Sequence, residues 1–335
     1  MTNKFSYHVT KYFAEYLPLH LGASENTCKS YRDAFLQLLR FLETNHHTPP
    51  DKIMLETVTA TIIEEFLLNL EQVGGIGVAT RNQRLAAIHS FFKYLQKKEL
   101  TCFEQCSAIL AIPFKKKPQV PMPYLSIQEV KILFSIPDVG KKSGLRDLAI
   151  LTVLYETGAR VQELIDLTVA HLNLSIGAPY IDLRGKGQKI RRIPIAIEVA
   201  NILGKYMNAF SIIAPQDVLF SNSQKQKLTR AGVQYIVSKY TTLGQQQSQE
   251  LFRQRITNHS FRHSKAMHLL EAGINLIYIR DFLGHSSVTT TEIYAKTNPE
   301  IKRKILTENN MISALENRYE PDEKKNLLNW LKENL

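Results

Sequence analysis

Apolar residues recur at helical spacing through the first hundred residues. The segment SENTCKSYRDAFLQLLRFLETN has one such stripe, formed by Tyr31, Phe35, Leu38 and Leu42. The segment TRNQRLAAIHSFFKYLQKKEL has a second, formed by Leu85, Ile88, Phe92 and Leu95. Intervals of three and four residues place each set on one face of a helix. Because this region lacks strand-like alternation, we predict a small all-α domain over residues 1–112, with Arg81 and Arg84 off the apolar stripe.

The stretch PFKKKPQVPMPY, residues 113–124, separates this domain from the rest of the chain. It contains four prolines and three adjacent lysines. Proline disfavours both helix and sheet pairing, so the stretch is predicted to be an extended linker. Because it is also positively charged, this linker could lie along a polyanion.

Residues 125–310 are predicted to form a second, larger domain. SIQE, with Glu129 three residues after Ser126, is the pattern of a capping box that opens a helix. LRDLAILTVLYETGAR is typical of a buried helix, and VQELIDLTV of a short amphipathic one. PYIDLRGKGQKIRRIPI alternates apolar and polar residues on both sides of GKG, which predicts a β-hairpin. The tail, residues 311–335, includes the amphipathic segment NLLNWLKENL. We therefore expect a mainly α fold with a small β-hairpin or sheet in the second of two domains.

Composition identifies the kind of partner to expect. The chain has 335 residues, of which 44% are hydrophobic and 22% charged, as in ordinary globular proteins. Its formal net charge is +11, and residues 125–310 alone contribute +9. Such an excess favours a nucleic acid as partner. Residues predicted to contact DNA are Arg81, Arg84, Lys115, Lys116, Lys117, Lys189 and Arg191.

Cysteine content and hydropathy indicate the compartment. Three cysteines, Cys28, Cys102 and Cys106, form neither a disulfide framework nor a four-ligand zinc site. The N-terminus lacks the apolar core of a signal peptide, and no apolar run approaches the roughly 18 residues needed to span a bilayer. The sequence therefore predicts a cytoplasmic protein without a membrane association, and we expect no metal or cofactor.

Three segments carry basic groups suited to chemistry on an anion. Arg160 follows a Gly-Ala break in TGARVQEL, and Glu163 lies one helical turn later. RGKGQKIRR has five basic residues in nine, with Lys186 between two glycines. NHSFRH places His259 and Arg262 on one face of a helix start, where the helix dipole favours an anion.

Each segment alone also fits a plainer interpretation, such as a structural ion pair or a solvated hairpin tip. Taken together, they present concentrated positive charge with few carboxylates to balance it. Arginine forks match the two non-bridging oxygens of a phosphodiester, and fixed donors there stabilise the charge that develops during phosphoryl transfer.

Tyr294, in the segment SSVTTTEIYAK, completes a recognisable order. Arg160, Lys186, His259, Arg262, His285 of an LGH turn, and Tyr294 follow one another as in the tyrosine recombinases, the family of phage integrases and Xer-type recombinases. The resemblance covers most of the chain, because a helical core-binding domain and a linker precede the domain that bears this set. A phenol in such a segment is otherwise most often a packing residue.

The resemblance implies a role for each residue. Tyr294 would attack the scissile phosphate and leave a 3'-phosphotyrosine and a free 5'-hydroxyl. Arg160 and Arg262 would hold the non-bridging oxygens, with Glu163 supporting Arg160. Lys186 would protonate the departing 5'-oxygen, His259 would accept the tyrosine proton, and His285 would add a phosphate hydrogen bond.

The resemblance also implies the partners. They would be double-stranded DNA, a tetramer of this chain on two paired sites, and accessory DNA-bending or directionality proteins. The segment NLLNWLKENL would then dock on a neighbouring subunit, although folding back on its own domain is the alternative.

Two departures bear on the biological role. HSFRHSKAM differs from the usual Xer-type pattern at Phe261, Lys265 and Met267, and the chain runs 41 residues past Tyr294. Both favour an integrase or transposase of a mobile genetic element over Xer-type resolution of chromosome or plasmid dimers, which is the alternative.

Other classes fit less well. A zincin would need glutamate where Ser260 stands, and a phosphate-binding loop would need glycine where Ser135 stands. A type IB topoisomerase shares the chemistry, but the separate helical domain and the motif spacing favour recombination. A non-catalytic DNA-binding regulator would not need the complete set.

Overall fold

A computed structural model describes residues 4–116, 123–185 and 189–284. The chain divides into two compact units, Met1–Val120 and Pro121–Leu335. The first unit is helical throughout its described elements. Its α-helices are α1 (Phe5–Lys11), α2 (Glu25–His46), α3 (Ala60–Gln72), α4 (Val78–Lys98) and α5 (Phe103–Leu110). A π-helical segment, Tyr12–His20, continues α1, and short 3-10 turns occupy Leu55–Thr57 and Leu100–Cys102.

The two predicted apolar stripes form the centre of the first unit. Phe35, Leu38 and Leu42 of α2 are buried. The stripe of α4 is buried along its whole length, at Leu85, Ile88, Phe92 and Leu95. Tyr31 is only partly buried at the edge. Aromatic rings interlock between these helices and α1, with Phe5 and Phe91 edge to face at 5.5 Å. The prediction of an all-α first unit is therefore confirmed.

Arg81 is buried although it lies off the predicted apolar stripe of α4. The residue is only 6% exposed, and its Nη1 donates a hydrogen bond to the carbonyl of Pro113 at 3.0 Å. It lies at the first turn of α4, beside the chain that leaves α5, so the period that identifies the stripe does not reveal this neighbour. A position off the apolar stripe therefore does not make Arg81 an exposed residue.

The second unit is mostly helical with a small sheet, which confirms the predicted fold class. Its α-helices are α6 (Ile127–Ser135), α7 (Lys142–Thr157), α8 (Val161–Ile165), α9 (Ile197–Phe210), α10 (Arg230–Gln247), α11 (Asn258–Glu271) and α12 (Leu276–Leu283). The antiparallel sheet has the order β1 (Leu172–Asn173), β2 (Tyr180–Arg184), β3 (Ile190–Pro194). A 3-10 turn, Val169–His171, precedes β1.

Helix α7 runs through the core of the second unit. Its apolar residues Ile150, Leu151, Val153 and Leu154 are fully buried, and the helix packs against α9 and α11. The predicted capping box opens α6: Ser126 Oγ accepts from the N–H of Glu129, and the Glu129 carboxylate accepts from the N–H of Ser126. Both local predictions are confirmed.

The predicted hairpin is present as β2 and β3. Asp182 pairs with Arg192, and Leu183 with Arg191. Because side chains alternate across a strand, Ile181, Leu183, Arg191 and Ile193 share the face that packs on the core. Arg192 lies on the opposite face, where it forms two 2.9 Å hydrogen bonds with the Asp182 carboxylate.

Three further sequence predictions concern cysteines, membranes and the tail. Cys28, Cys102 and Cys106 are free thiols. None of the described helices has the length and hydropathy of a membrane span. The segment NLLNWLKENL and the rest of the tail lie outside the described residues.

Candidate active site

The turn between α7 and α8 positions Arg160. Gly158 caps the C-terminus of α7, and its φ of +56° lies in the left-handed region that glycine adopts readily. A β-carbon at Gly158 would lie 2.9 Å from Cδ2 of Leu283, at the end of α12. The glycine therefore serves both the turn and the close approach of α12.

The Glu163 carboxylate lies between two arginines. Arg160 donates from its backbone N–H to Oε2 and from Nη1 to Oε1, both at 2.8 Å. Arg191 donates from Nη1 to Oε1 at 2.9 Å and from Nη2 to Oε2 at 2.6 Å. The Glu163 side chain is 5% exposed, so the carboxylate is a buried ionic hub. This observation fits the predicted support of Arg160 by Glu163 and adds Arg191 to it.

The charges around Glu163 also determine its ionisation. Burial alone would raise the pKa of this carboxyl, but the hydrogen bonds and charge of Arg191, together with those of Arg160, outweigh burial and hold the pKa below its usual range. Glu163 is therefore ionised at neutral pH.

Arg262 is the most buried arginine of the site. It is 3% exposed, and α11 brings it against the two helix ends already described. Its Nη1 donates to the carbonyl of Gly158 at 2.6 Å, and its Nη2 donates to the carbonyl of Leu283 at 2.5 Å. The guanidinium thus connects the end of α7 with the end of α12.

The C-terminal end of α12 accepts hydrogen bonds from three arginines in succession. The carbonyl of Phe282 accepts from Arg191, that of Leu283 from Arg262, and that of Gly284 from Arg160. We call these the carbonyl triplet. Helix carbonyls at a C-terminus lack intrahelical donors and carry partial negative charge, so arginines suit this position. The triplet ends immediately before His285.

His259 lies near two of these guanidinium groups. It occupies the second position of α11, three residues before Arg262. Although part of its ring reaches solvent, desolvation by the surrounding protein lowers its pKa, and the positive charges of Arg262 and Arg160 lower it further. The ring is therefore neutral at physiological pH, which is the form able to accept a proton.

His263 lies one turn farther along α11, with its ring 6.3 Å from that of His259. Burial, followed by His259 and Arg262, lowers its pKa to about 4. His263 is not part of the catalytic set predicted from the sequence. Its position four residues after His259, and so on the same helix face, was the signal available.

The structure brings together Arg160, Glu163, His259 and Arg262 of the predicted catalytic set. Lys186, His285 and Tyr294 lie outside the described residues, and their assignments stay predictions. Three arginines and one carboxylate leave the described part of the site positively charged. Such a site can bind an anion through arginine donors. In the described residues no group of three or more His, Cys, Asp or Glu side chains converges as metal ligands would.

The residues predicted to contact DNA have varied surroundings. Arg84 donates to the side chain of Gln37 and the carbonyl of Ser30, while Lys115 pairs with Glu71 at 2.6 Å. Lys116 and Lys189 are exposed, and Lys117 lies outside the described residues. These assignments stay predictions.

Arg81 and Arg191 are the two predicted DNA contacts whose surroundings point elsewhere. The Arg191 side chain is 12% exposed and its guanidinium is bound to Glu163 and Phe282. Arg81 is bound to Pro113, as described above. Neither guanidinium is presented on a solvated face, and the two DNA contacts stay predictions.

Comparison with known protein families gives the class. The phage integrase family matches residues 123–300, and the phage integrase N-terminal SAM-like domain matches residues 10–99. The chain belongs to the phage integrase family, the tyrosine recombinases, which cleave and rejoin DNA through a tyrosine intermediate. The resemblance predicted from the sequence is therefore confirmed.

Individual relatives cover nearly the whole chain. A Sinorhizobium fredii protein named as an integrase/recombinase, y4rC, is 36% identical over 96% of this chain and 95% of its own length. The tyrosine recombinase XerC of Syntrophus aciditrophicus is 32% identical over 85% of this chain and 91% of its own length.

Solved structures share the fold. XerH site-specific recombinase bound to palindromic difH substrate superposes with a TM-score of 0.67, at 22% identity, over 85% of this chain and 80% of that one. The Tn1549 transposon integrase in complex with transposon right end DNA superposes with a TM-score of 0.63, at 19% identity, over 90% of this chain and 99% of that one.

Proposed function

We propose that this chain is the integrase of a mobile genetic element, which binds double-stranded DNA and exchanges strands through a 3'-phosphotyrosine at Tyr294. The observation that carries the proposal is the convergence of Arg160 and Arg262 on the carbonyl triplet, because the chain leads from there directly into His285 and Tyr294. The family supplies the reaction, and this geometry supports a phosphate site beside the nucleophile's segment.

In the proposed reaction, the Tyr294 oxygen attacks the scissile phosphorus and a new P–O bond forms. The bond from phosphorus to the 5'-oxygen breaks, and this oxygen takes a proton from Lys186 while His259 receives the phenol proton. Arg160 and Arg262 stabilise the charge on the non-bridging oxygens. Attack by a 5'-hydroxyl of the partner strand reverses these steps and reseals the DNA.

The mobile-element role is supported by the similarity to the integrase/recombinase y4rC. The departures at Phe261, Lys265 and Met267 also favour it. Recombination of two sites requires four subunits, so we propose a tetramer on paired DNA sites, assisted by DNA-bending or directionality proteins. The second candidate is Xer-type dimer resolution, which the similarity to XerC favours.

Covalent trapping tests the reaction. A duplex from the DNA that flanks the gene, nicked near the cleavage point, should trap a protein–DNA adduct with the wild-type chain. Tyr294→Phe should bind the same duplex and give no adduct. An adduct of equal yield in the phenylalanine variant would move the nucleophile elsewhere.

Flanking DNA separates the two candidate roles. Ends that this chain cuts and joins, lying at the borders of a discrete inserted segment, would support the integrase. A single chromosomal site recombined only between replicated copies would support dimer resolution instead.

A further inference from the structure

The two adjacent arginines of β3 occupy opposite faces of the sheet. Arg191 shares the core-facing side with Leu183 and Ile193, whereas Arg192 points outward to Asp182. A charged group on a core-facing position needs a partner, because an unpaired buried charge is strongly destabilising. The sequence IRRIPI contains this signal, since Arg191, Ile193 and Ile195 are spaced by two.

Arg191 has all of its described contacts inside the protein. Its Nη1 and Nη2 form a bidentate pair with the Glu163 carboxylate, and its Nε donates to the carbonyl of Phe282 at 3.1 Å. Its side chain is 12% exposed and its fork is already paired with a carboxylate, which would compete with a phosphate for the same donors, so this guanidinium is poorly placed to bind DNA. It is well placed to fix the position of another group.

The group it fixes is Arg160. Glu163 Oε1 accepts from both Arg160 Nη1 and Arg191 Nη1, and Glu163 Oε2 accepts from the backbone N–H of Arg160 and from Arg191 Nη2. The carboxylate therefore has one mostly buried partner, Arg191 at 12% exposure, and one more exposed partner, Arg160 at 36%.

The carbonyl triplet adds a second connection. Arg191 and Arg160 donate to carbonyls two residues apart, those of Phe282 and Gly284. A β-carbon on Gly284 would lie 3.2 Å from Cδ of Arg191, so glycine permits this close packing. Arg191 therefore braces both Glu163 and the helix end that receives Arg160.

We infer that Arg191 is a positioning residue for DNA cleavage, which orients Arg160 through Glu163 and the end of α12 and does not itself contact DNA. The inference rests on the proposed role of Arg160 as a phosphate clamp. It replaces the DNA contact that the basic hairpin sequence suggested for Arg191.

Substitution of neighbouring arginines tests the inference. Arg191→Gln should reduce the single-turnover cleavage rate on the nicked flanking duplex about 100-fold, the scale expected for a misplacement of about 1 Å. Its affinity for the intact duplex, and the salt dependence of that affinity, should match wild type. Arg192→Gln is the matched control and should cleave at the wild-type rate.

A phosphate contact would give a different result. Loss of one such contact weakens binding and reduces the slope of log affinity against log salt by about one. If Arg191→Gln lowered the slope in this way while its cleavage rate at saturating protein stayed normal, Arg191 would be a DNA contact and the inference would be overturned.

Two further variants guard against loss of folding. Glu163→Gln combined with Arg191→Gln removes both buried charges, and its cleavage rate should be no lower than that of the worse single variant, since Arg191 acts through Glu163. Arg191→Lys keeps the charge without the fork and should recover part of the rate. If the fold reductions in cleavage rate of the two single variants multiplied in the double variant, the inference would be contradicted.

The pH profile provides a readout that a purely structural role would not move. Loss of Arg191 removes the largest of the groups that lower the pKa of Glu163, so this pKa should rise, and cleavage by Arg191→Gln should fall more steeply as the pH is lowered than cleavage by wild type or Arg192→Gln. The charged groups that face Glu163 are Arg160 at the start of α8 and Arg191 on β3. An unchanged profile would count against the inference.

Lys186 lies between β2 and β3 in the sequence, so a substrate test separates an effect of Arg191 through Arg160 from an effect through Lys186. A 5'-bridging phosphorothiolate leaves without needing a proton and bypasses an acid. Arg191→Gln should stay defective on this substrate, as Arg160→Ala should, and rescue would show that Arg191 acts through Lys186 instead. If Arg160→Ala cleaved normally, the proposed function of Arg160 would fail before the inference about Arg191 was reached.

Discussion

At the scale of single residues, Gly158 has two constraints. Its backbone has positive φ, and a β-carbon would approach Leu283 to 2.9 Å. Alanine at such a backbone position costs about 1 kcal/mol, and overpacking adds about 1–3 kcal/mol. Gly158→Ala should therefore lower the free energy of unfolding by about 2–4 kcal/mol, as measured by urea denaturation.

Gly273 provides the control for Gly158. It belongs to the same unit and has a φ of +81°, yet a β-carbon there would meet nothing within 4 Å. Gly273→Ala should thus show the backbone cost alone, about 1 kcal/mol. If both variants lost the same unfolding free energy, the end of α12 would have moved to accommodate the added β-carbon at position 158 without a packing cost.

His263 makes stability depend on pH. Its pKa is about 4 in the folded chain, against an ordinary value near 6.5. Between these values the unfolded chain binds more protons, so stability falls as the pH falls from 6.5 towards 4. At pH 5 this histidine should cost about 2 kcal/mol relative to pH 7.5.

His263→Asn should remove that part of the acid sensitivity. Urea denaturation at pH 7.5 and pH 5 would give a difference in unfolding free energy about 2 kcal/mol smaller in the variant than in wild type. Comparing the change in unfolding free energy between the two pH values, rather than its value at either pH, separates the effect of titration from any loss of packing. A variant as acid-sensitive as wild type would contradict the assignment.

At the scale of elements, Arg81 joins two helices of the first unit. Its Nη1 connects the start of α4 to the carbonyl of Pro113, beyond α5. Arg81→Ala would leave this carbonyl without its charged donor and should destabilise the unit by about 1–3 kcal/mol. Thermal denaturation followed by circular dichroism would measure it.

Lys93→Ala on the same helix is the control for Arg81, because Lys93 is exposed. It should change stability by less than about 0.5 kcal/mol. If Arg81→Ala instead left stability unchanged and weakened DNA binding, the original assignment of Arg81 to the DNA surface would be restored.

Local pattern predicts the elements well and their mutual arrangement poorly. The capping box of α6 and the hairpin register depend on residues close in sequence, and both could be predicted. Arg191 and Phe282 are 91 positions apart, so their hydrogen bond has no local signature. The catalytic order could be recognised because each type of chemistry needs a particular side chain, but what supports those side chains could not.

At the scale of the whole molecule, the first unit has its own core. The buried cluster that includes Phe5, Leu38, Phe92 and Ile112 lies entirely within residues 5–112. A fragment of residues 1–116 should therefore be helical and unfold cooperatively by itself, which circular dichroism with thermal denaturation would show. A fragment with helical signal but a broad, non-cooperative transition would indicate that this core needs the rest of the chain.

The carbonyl triplet requires α12 to keep its number of residues, because that number determines where the three carbonyls lie. Adding or removing one residue within α12 would turn the following carbonyls by about 100° around the helix axis and shift them about 1.5 Å along it. All three arginine hydrogen bonds, to Phe282, Leu283 and Gly284, would be lost together. Point substitutions on the exposed side of α12, such as at Tyr278, leave the count unchanged. This helix should therefore accept many changes of residue while accepting no insertion or deletion.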